Sequence, residues 1–120
     1  MNGVHIRAPI MPAKAVIFLK RRDGLTRDAF RDWWLTGHRA MAERLPGLVR
    51  HTFNLLPEDA PYDAVVEQWF EDAGAMSAAY VTDIGRAVAA DSAAQVKARI
   101  RTVVEEFDFP VPGPSKAGHD

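Results

Sequence analysis

Cysteine is absent from this chain of 120 residues. Its absence removes disulfides, thiolate nucleophiles and thiolate metal sites, and it fits a reducing compartment. Charge of one sign is scarce as well: 15 Lys and Arg stand against 16 Asp and Glu, a formal net charge of −1. Binding along a phosphate backbone needs a clustered positive surplus, so no nucleic-acid partner is expected. The short basic runs "KRRDG" (20–24) and "KARIR" (97–101) lie among acids and read as solvated turn or helix faces. No apolar run approaches the roughly 18 residues of a membrane span, so no membrane partner is expected. Arg7 and Lys14 break any signal-peptide core near the start, which makes the cytoplasm the expected location.

Cofactor signatures are missing too. The glycines form no Gly-rich loop ahead of a helix, so phosphate, nicotinamide and flavin binding are not indicated. His5, His38, His51 and His119 share no ligand spacing along a helix or strand, and no nucleophile-elbow sequence occurs. The expectation is a protein without cofactor or metal.

What is present is the composition of one folded domain, 48% hydrophobic and 26% charged. Residues 1–12, with two prolines, read as a loosely held leader in which Met11 offers a second start. Residues 110–120, "PVPGPSKAGHD", read as a Pro/Gly-rich tail, leaving a folded unit over 13–109. "AKAVIFLKR" (13–21) is short and rich in branched residues, which predicts a strand ending at Asp23-Gly24. Thr26 is the expected N-cap of a helix over 27–44, ended by Pro46-Gly47. "LVRHTFNLL" (48–56) and "DAVVEQWFE" (63–71) predict two more strands. The alanine-rich residues 72–98 predict helix interrupted near 83–85, and "RTVVEEFDF" (101–109) a last strand.

That order, with right-handed crossovers, predicts an α+β, ferredoxin-like βαββαβ fold: a four-stranded antiparallel sheet with both helices on one face. Along the first strand Val16 and Phe18 oppose Ala15, Ile17 and Leu19; along the third, Val66 and Phe70 oppose Val65 and Trp69. Both sheet faces are thus apolar while the helices cover only one. The uncovered face calls for a second copy, giving a homodimer in which two sheets enclose a barrel-like interior.

One histidine lies in the long helix. On a wheel of about 100° per residue, Phe30, Trp33, Trp34, Gly37, Met41 and Leu45 form one stripe, with His38 on its margin. There it either caps a neighbouring carbonyl or carries a proton beside a pocket, since an imidazole titrates near neutrality. Gly37, costly inside a helix, suggests close approach of another backbone or a ligand.

The spacing Phe30-x-x-x-Trp34-x-x-x-His38, followed by Leu45-Pro46-Gly47-Leu48-x-Arg50-His51, resembles the EthD-like family of the dimeric α+β barrel superfamily. The resemblance continues through Tyr62-Asp63-Ala64-Val65-Val66-Glu67-Gln68-Trp69-Phe70 to Asp91 and Val103-Val104-Glu105-Glu106, and so spans residues 13–109. It implies a dimer enclosing small hydrophobic or aromatic compounds, and it makes His38 the acid/base residue. The family includes methylmuconolactone isomerases, polyketide cyclases and cofactor-free oxygenases. The chain departs from the pattern at Ala64, where glycine is frequent, and in "SAAQ" after Asp91, where an aromatic is frequent.

The expected function is therefore a cofactor-independent enzyme moving a proton on an aromatic, lactone or polyketide-like substrate, by isomerisation, cyclisation or dehydration, with His38 catalytic. The alternatives are a cofactor-free oxygenase and a non-catalytic small-molecule binder. Trp34 and Trp69 are expected to wall the site, and Arg50, His51 or Glu67 to fix a polar end of the substrate. Arg50 suits a bidentate carboxylate contact or an ion pair with Glu67 or Asp63. Glu67, if buried beside Trp69, would have a raised pKa and serve as an acid. Asp83 and Asp91, near breaks in the second helical region, read as caps.

Overall fold

A computed structural model describes residues 12–113; nearly all of the expected leader, and residues 114–120 of the expected tail, lie outside the described residues. The elements are β1 (Ala13–Arg21), α1 (Arg27–Trp33), a π turn (Trp34–His38), α2 (Arg39–Ala42), β2 (Leu48–Leu55), β3 (Ala64–Phe70), α3 (Ala73–Ala79), α4 (Asp83–Gln95) and β4 (Val96–Val104). The strands form one sheet in the order β2-β3-β1-β4, each neighbouring pair antiparallel. This is the ferredoxin-like α+β arrangement.

Local chemistry sets the boundaries. The Thr26 hydroxyl accepts from the Ala29 N–H at 3.1 Å and caps α1. Gly47 takes φ +80°, a conformation few residues adopt, and a Cβ there would lie 2.8 Å from the Ala75 Cβ. Asp72 and Thr82 cap α3 and α4 through bonds from Ala75 N–H (2.8 Å) and Gly85 N–H (3.1 Å). Asp83 is therefore the first residue of α4 and not its cap. Gly85 lets α4 press on the end of α3: a Cβ would collide with the Ala79 carbonyl oxygen and stand 2.6 Å from the Tyr80 Cα.

The last strand is displaced from expectation. It begins at Val96 and ends at Val104, where 101–109 was expected, and residues 105–113 have no regular structure. Lys, Ala and Arg in 97–101 favour helix intrinsically, but pairing with β1, from Lys14↔Val104 to Arg21↔Val96, outweighs that preference. As an edge strand, β4 turns Lys97 to solvent, while Arg101 is half-buried.

Strand alternation gives the sheet two distinct faces. Ala15, Ile17, Leu19, Ala64, Val66, Gln68 and Phe70 are buried under the helices. They pack with Phe30, Trp34, Ala42, Leu45, Met76, Ala79 and Val88 in two adjoining clusters. The other face carries Phe18, Val65 and Ile100 at one end, Val16, Glu67 and Thr52 across its middle, and Lys14, Trp69 and Arg50 at the other end. No helix covers that face; Ile100 is 48% exposed. The β2–β3 loop is clamped at its base, where Leu56 N–H donates to Asp63 O and Asp63 N–H to Leu19 O, both at 2.9 Å. The Asp63 carboxylate also accepts from the Arg21 N–H at 2.8 Å. Among the described residues no helix is long and apolar enough to cross a membrane.

Candidate functional site

The π turn decides where His38 points. In a regular helix the spacing Phe30, Trp34, His38, Ala42 drifts around the axis; a π turn holds an extra residue and brings positions four apart into line. Phe30, Trp34, His38 and Ala42 are all buried, and His38 is only 7% exposed. The Thr36 hydroxyl bonds back to the Asp32 carbonyl within the same stretch. Gly37 faces open space, with nothing of its own chain within 4 Å of an added Cβ, so no backbone of the same chain makes the close approach.

His38 is held from two sides. Its Nδ1 lies 2.8 Å from Asp91 Oδ2 on α4, and its ring sits 4.7 Å from that of Trp33. The same Asp91 oxygen accepts from Trp33 Nε1 at 3.0 Å. Asp91 is thus no cap; it lies within α4 and bridges to the first helical layer. A carboxylate partner fixes the proton on Nδ1 of a neutral imidazole and leaves Nε2 as a lone pair. Burial lowers the His38 pKa below its ordinary 6.5, outweighing the hydrogen bond and charge of Asp91, which raise it; Arg99 and His51 add to the lowering. Near neutral pH His38 is therefore an uncharged base oriented by a carboxylate.

The imidazole borders a cavity between the helices and the sheet, together with Phe53, Gln68, Tyr80, Ser92 and Arg99. The cavity measures about 20 Å³, the room of a single water. Gln68 and Ser92 are buried polar residues on otherwise apolar lines, and Gln68 Oε1 accepts from the Tyr80 hydroxyl at 2.9 Å. Beyond Tyr80, Ala89 and Arg99 a wider groove of about 500 Å³ opens along the edge of β4. Among the described residues no three His, Asp or Glu side chains converge as a metal ion requires.

The matching sequence profile is that of the EthD domain, over residues 22–96, more than half of the chain. The chain belongs to the EthD family. Solved structures of the same fold surround this EthD chain. One is an EthD-family protein of Bacillus halodurans, with TM-score 0.72 and 19% identity over 81% of this chain and 100% of that one. A second is SnoaB, a cofactor-independent oxygenase of Streptomyces nogalater, with TM-score 0.65 and 18% identity over 82% and 96%. A third is a dimeric ferredoxin-like protein of unknown function from Thermobifida fusca, with TM-score 0.66 and 17% identity over 86% and 98%. At these identities the likeness is one of fold. No curated protein gives a significant match to the chain.

The residues expected to share one site divide between two faces of the EthD sheet. Trp34 and His51 lie with His38 on the helix side, though neither lines the cavity. Trp34 is fully buried and stacks on Phe53 at 4.6 Å. His51 meets Glu43 through Nε2 at 3.3 Å and the edge of Phe53 at 5.0 Å. Arg50, Glu67 and Trp69 lie on the opposite face because the pleat alternates, and cannot reach the His38 cavity of their own chain. There the Arg50 guanidinium stacks 4.4 Å from the Trp69 ring, in place of the expected pairing with Glu67 or Asp63. Glu67 accepts from the Thr52 hydroxyl at 2.7 Å and pairs with Lys14 at 3.0 Å. The Thr52 and Lys14 bonds hold its pKa below 4.5, the reverse of the raised value expected. His38 itself points under its own helices, away from the face expected to form the barrel interior. Sequence reasoning missed Asp91 as a partner, along with Gln68, Tyr80, Ser92 and Arg99. The usable signals were Gln68 and Ser92, polar residues falling on the buried period of a strand and of a helix.

Proposed function

We propose that this EthD-family chain is a cofactor-independent enzyme that removes a proton from an activated carbon of a small, mostly apolar ring compound. The observation that carries the reading is the 2.8 Å His38–Asp91 contact beside a cavity. His38 Nε2 takes the proton, Asp91 stabilises the imidazolium through Nδ1–H, and the Gln68 amide donates to the oxygen that gains charge. Return of the proton to another carbon completes an isomerisation; attack of the carbanion on a carbonyl of the same molecule completes a cyclisation. A ring is larger than the cavity, so Tyr80 and Arg99 draw back to admit it. The functional unit is a cytoplasmic homodimer joined through the open sheet face, a reading supported by the dimeric Thermobifida fusca protein of the same fold.

Its test starts from the ligand that copurifies with the protein, identified by mass spectrometry and returned to the enzyme in D₂O. The expected result is incorporation of one deuterium at the acidic carbon, lost in His38→Ala. A His38→Ala protein that folds and still exchanges that hydrogen at the wild-type rate removes the mechanism. The fold shared with SnoaB favours one second reading, in which the same carbanion is captured by O₂. Oxygen uptake during turnover separates the two.

A further inference from the structure

The groove outside the His38 cavity carries two arginines from one strand. Arg99 pairs across the sheet with Leu19 and Arg101 with Ile17, so both side chains belong to the helix-side face. Both line the groove with Met76, Ser77, Tyr80 and Ala89, and Arg99 lines the inner cavity as well. The Arg101 guanidinium lies 5.2 Å from the centre of the Tyr80 ring, and its Nε is buried without a hydrogen-bond partner among the described residues. Among those residues, the Lys and Arg side chains paired with carboxylates are Lys14, Lys20, Arg21, Arg39, Arg86 and Lys97. Arg99 and Arg101 are not among them. Two guanidinium groups side by side without a counterion repel each other, and a bound anion relieves that repulsion.

We infer that the substrate is an anion, a ring compound bearing a carboxylate, whose charged end is held by Arg99 and Arg101 while its ring passes Tyr80 toward His38. Guanidinium groups hold a carboxylate through paired N–H···O bonds, which fixes direction as well as affinity. The role expected of Arg50 thus falls to arginines on the other face of the sheet. Arg99 also bears on the base: its positive charge helps keep His38 neutral. The inference rests on the proposed base only for which end of the ligand reacts; anion binding itself is independent of it.

Salicylate and its neutral amide, salicylamide, are the probes, titrated calorimetrically into the full-length protein in chloride buffer. Salicylate is expected to bind at least tenfold more tightly than salicylamide. The double variant Arg99→Gln/Arg101→Gln, checked for folding by circular dichroism, is expected to lose that preference. Arg99→Lys/Arg101→Lys is expected to recover part of it, and Arg86→Gln on α4 to behave as wild type. Equal or absent binding of the two probes by wild type, or salicylate binding that survives the double glutamine variant, overturns the inference. So does equal loss in Arg86→Gln, which would mark diffuse surface attraction. Deuterium exchange surviving in His38→Ala would instead remove the base and leave the anion site standing.

Discussion

Asp91 Oδ2 receives two nitrogens from the first helical layer, His38 Nδ1 at 2.8 Å and Trp33 Nε1 at 3.0 Å, and so ties α4 to the π turn. The His38 bond joins residues 53 apart in sequence. The His38 imidazole and the helix that roofs the cavity are thereby positioned by a single carboxylate.

Asp91→Asn preserves the shape of that bridge and removes its charge. Proton transfer by a positioned imidazole is worth about 10² to 10⁴-fold, and an imidazole without a carboxylate to fix its tautomer forfeits much of it. Deuterium exchange of the copurifying ligand is expected to slow by about 10² or more. The His38 pKa should also move further down, because Asp91 raises it in the native protein. An imidazole NMR titration reading the same pKa in variant and wild type would contradict this arrangement.

The depressed pKa of His38 has a signature in stability. Between the folded value and 6.5, the unfolded chain binds a proton that the folded chain refuses. Stability should therefore be complete above about pH 6.5, decline as the pH falls toward the folded value, and level off below it. Glu67 acts in a separate, more acid window: its folded pKa lies below 4.5, so its contribution is present above that pH and disappears as the pH falls below it. Urea unfolding at a series of pH values should show the first window vanish in His38→Asn and the second persist.

Two glycines should respond oppositely to alanine. Gly85→Ala drives a methyl group into the Ala79 carbonyl and the Tyr80 backbone, and overpacking of this kind costs about 1–3 kcal/mol. Gly37→Ala meets no neighbour within 4 Å and should gain up to about 1 kcal/mol from helix propensity. Thermal melts of the two variants would decide this, a loss for Gly37→Ala being the contrary result.

Ile100 stands directly across from Phe18 on the open face of the sheet. Ile100→Asp sets a charge against that apolar patch and is expected to yield a folded monomer by light scattering at micromolar concentration, while wild type runs as a dimer. A variant that remains dimeric would place the interface elsewhere.

Much of the frame was legible in the chain. Alternation along residues 13–21 and 63–71 gave β1 and β3 with their faces, Thr26 marked the start of α1, and Pro46-Gly47 marked the turn that follows α2, whose last residue is Ala42 where 44 was expected. Other features depend on long-range terms that local pattern does not carry. Lys97, Arg99 and Arg101 favour helix, and only hydrogen bonds to β1 draw them into β4. A wheel of 3.6 residues per turn put His38 on the margin; the π turn at Trp34–His38 carries it into the interior. In β2 the pairing shifts between Leu48 and Arg50, which leaves Val49 56% exposed although it stands an even number of residues from His51 and Phe53. Asp91 stood out as part of the family resemblance and read as a cap; its bonds to His38 and Trp33 were not legible, since those partners come from a layer that the fold brings near.

The clamp beneath the β2–β3 loop has a practical consequence. Leu56, Asp63, Leu19 and Arg21 lock the two ends of residues 57–62 together, so the tip at Glu58 and Asp59 is exposed beyond the clamp, while Tyr62 at its base packs 5.7 Å from Phe18. A fluorophore, an affinity peptide or a new pair of chain ends grafted between those two acids would ride on the protein without disturbing the imidazole, the arginine groove or the surface offered to a second copy.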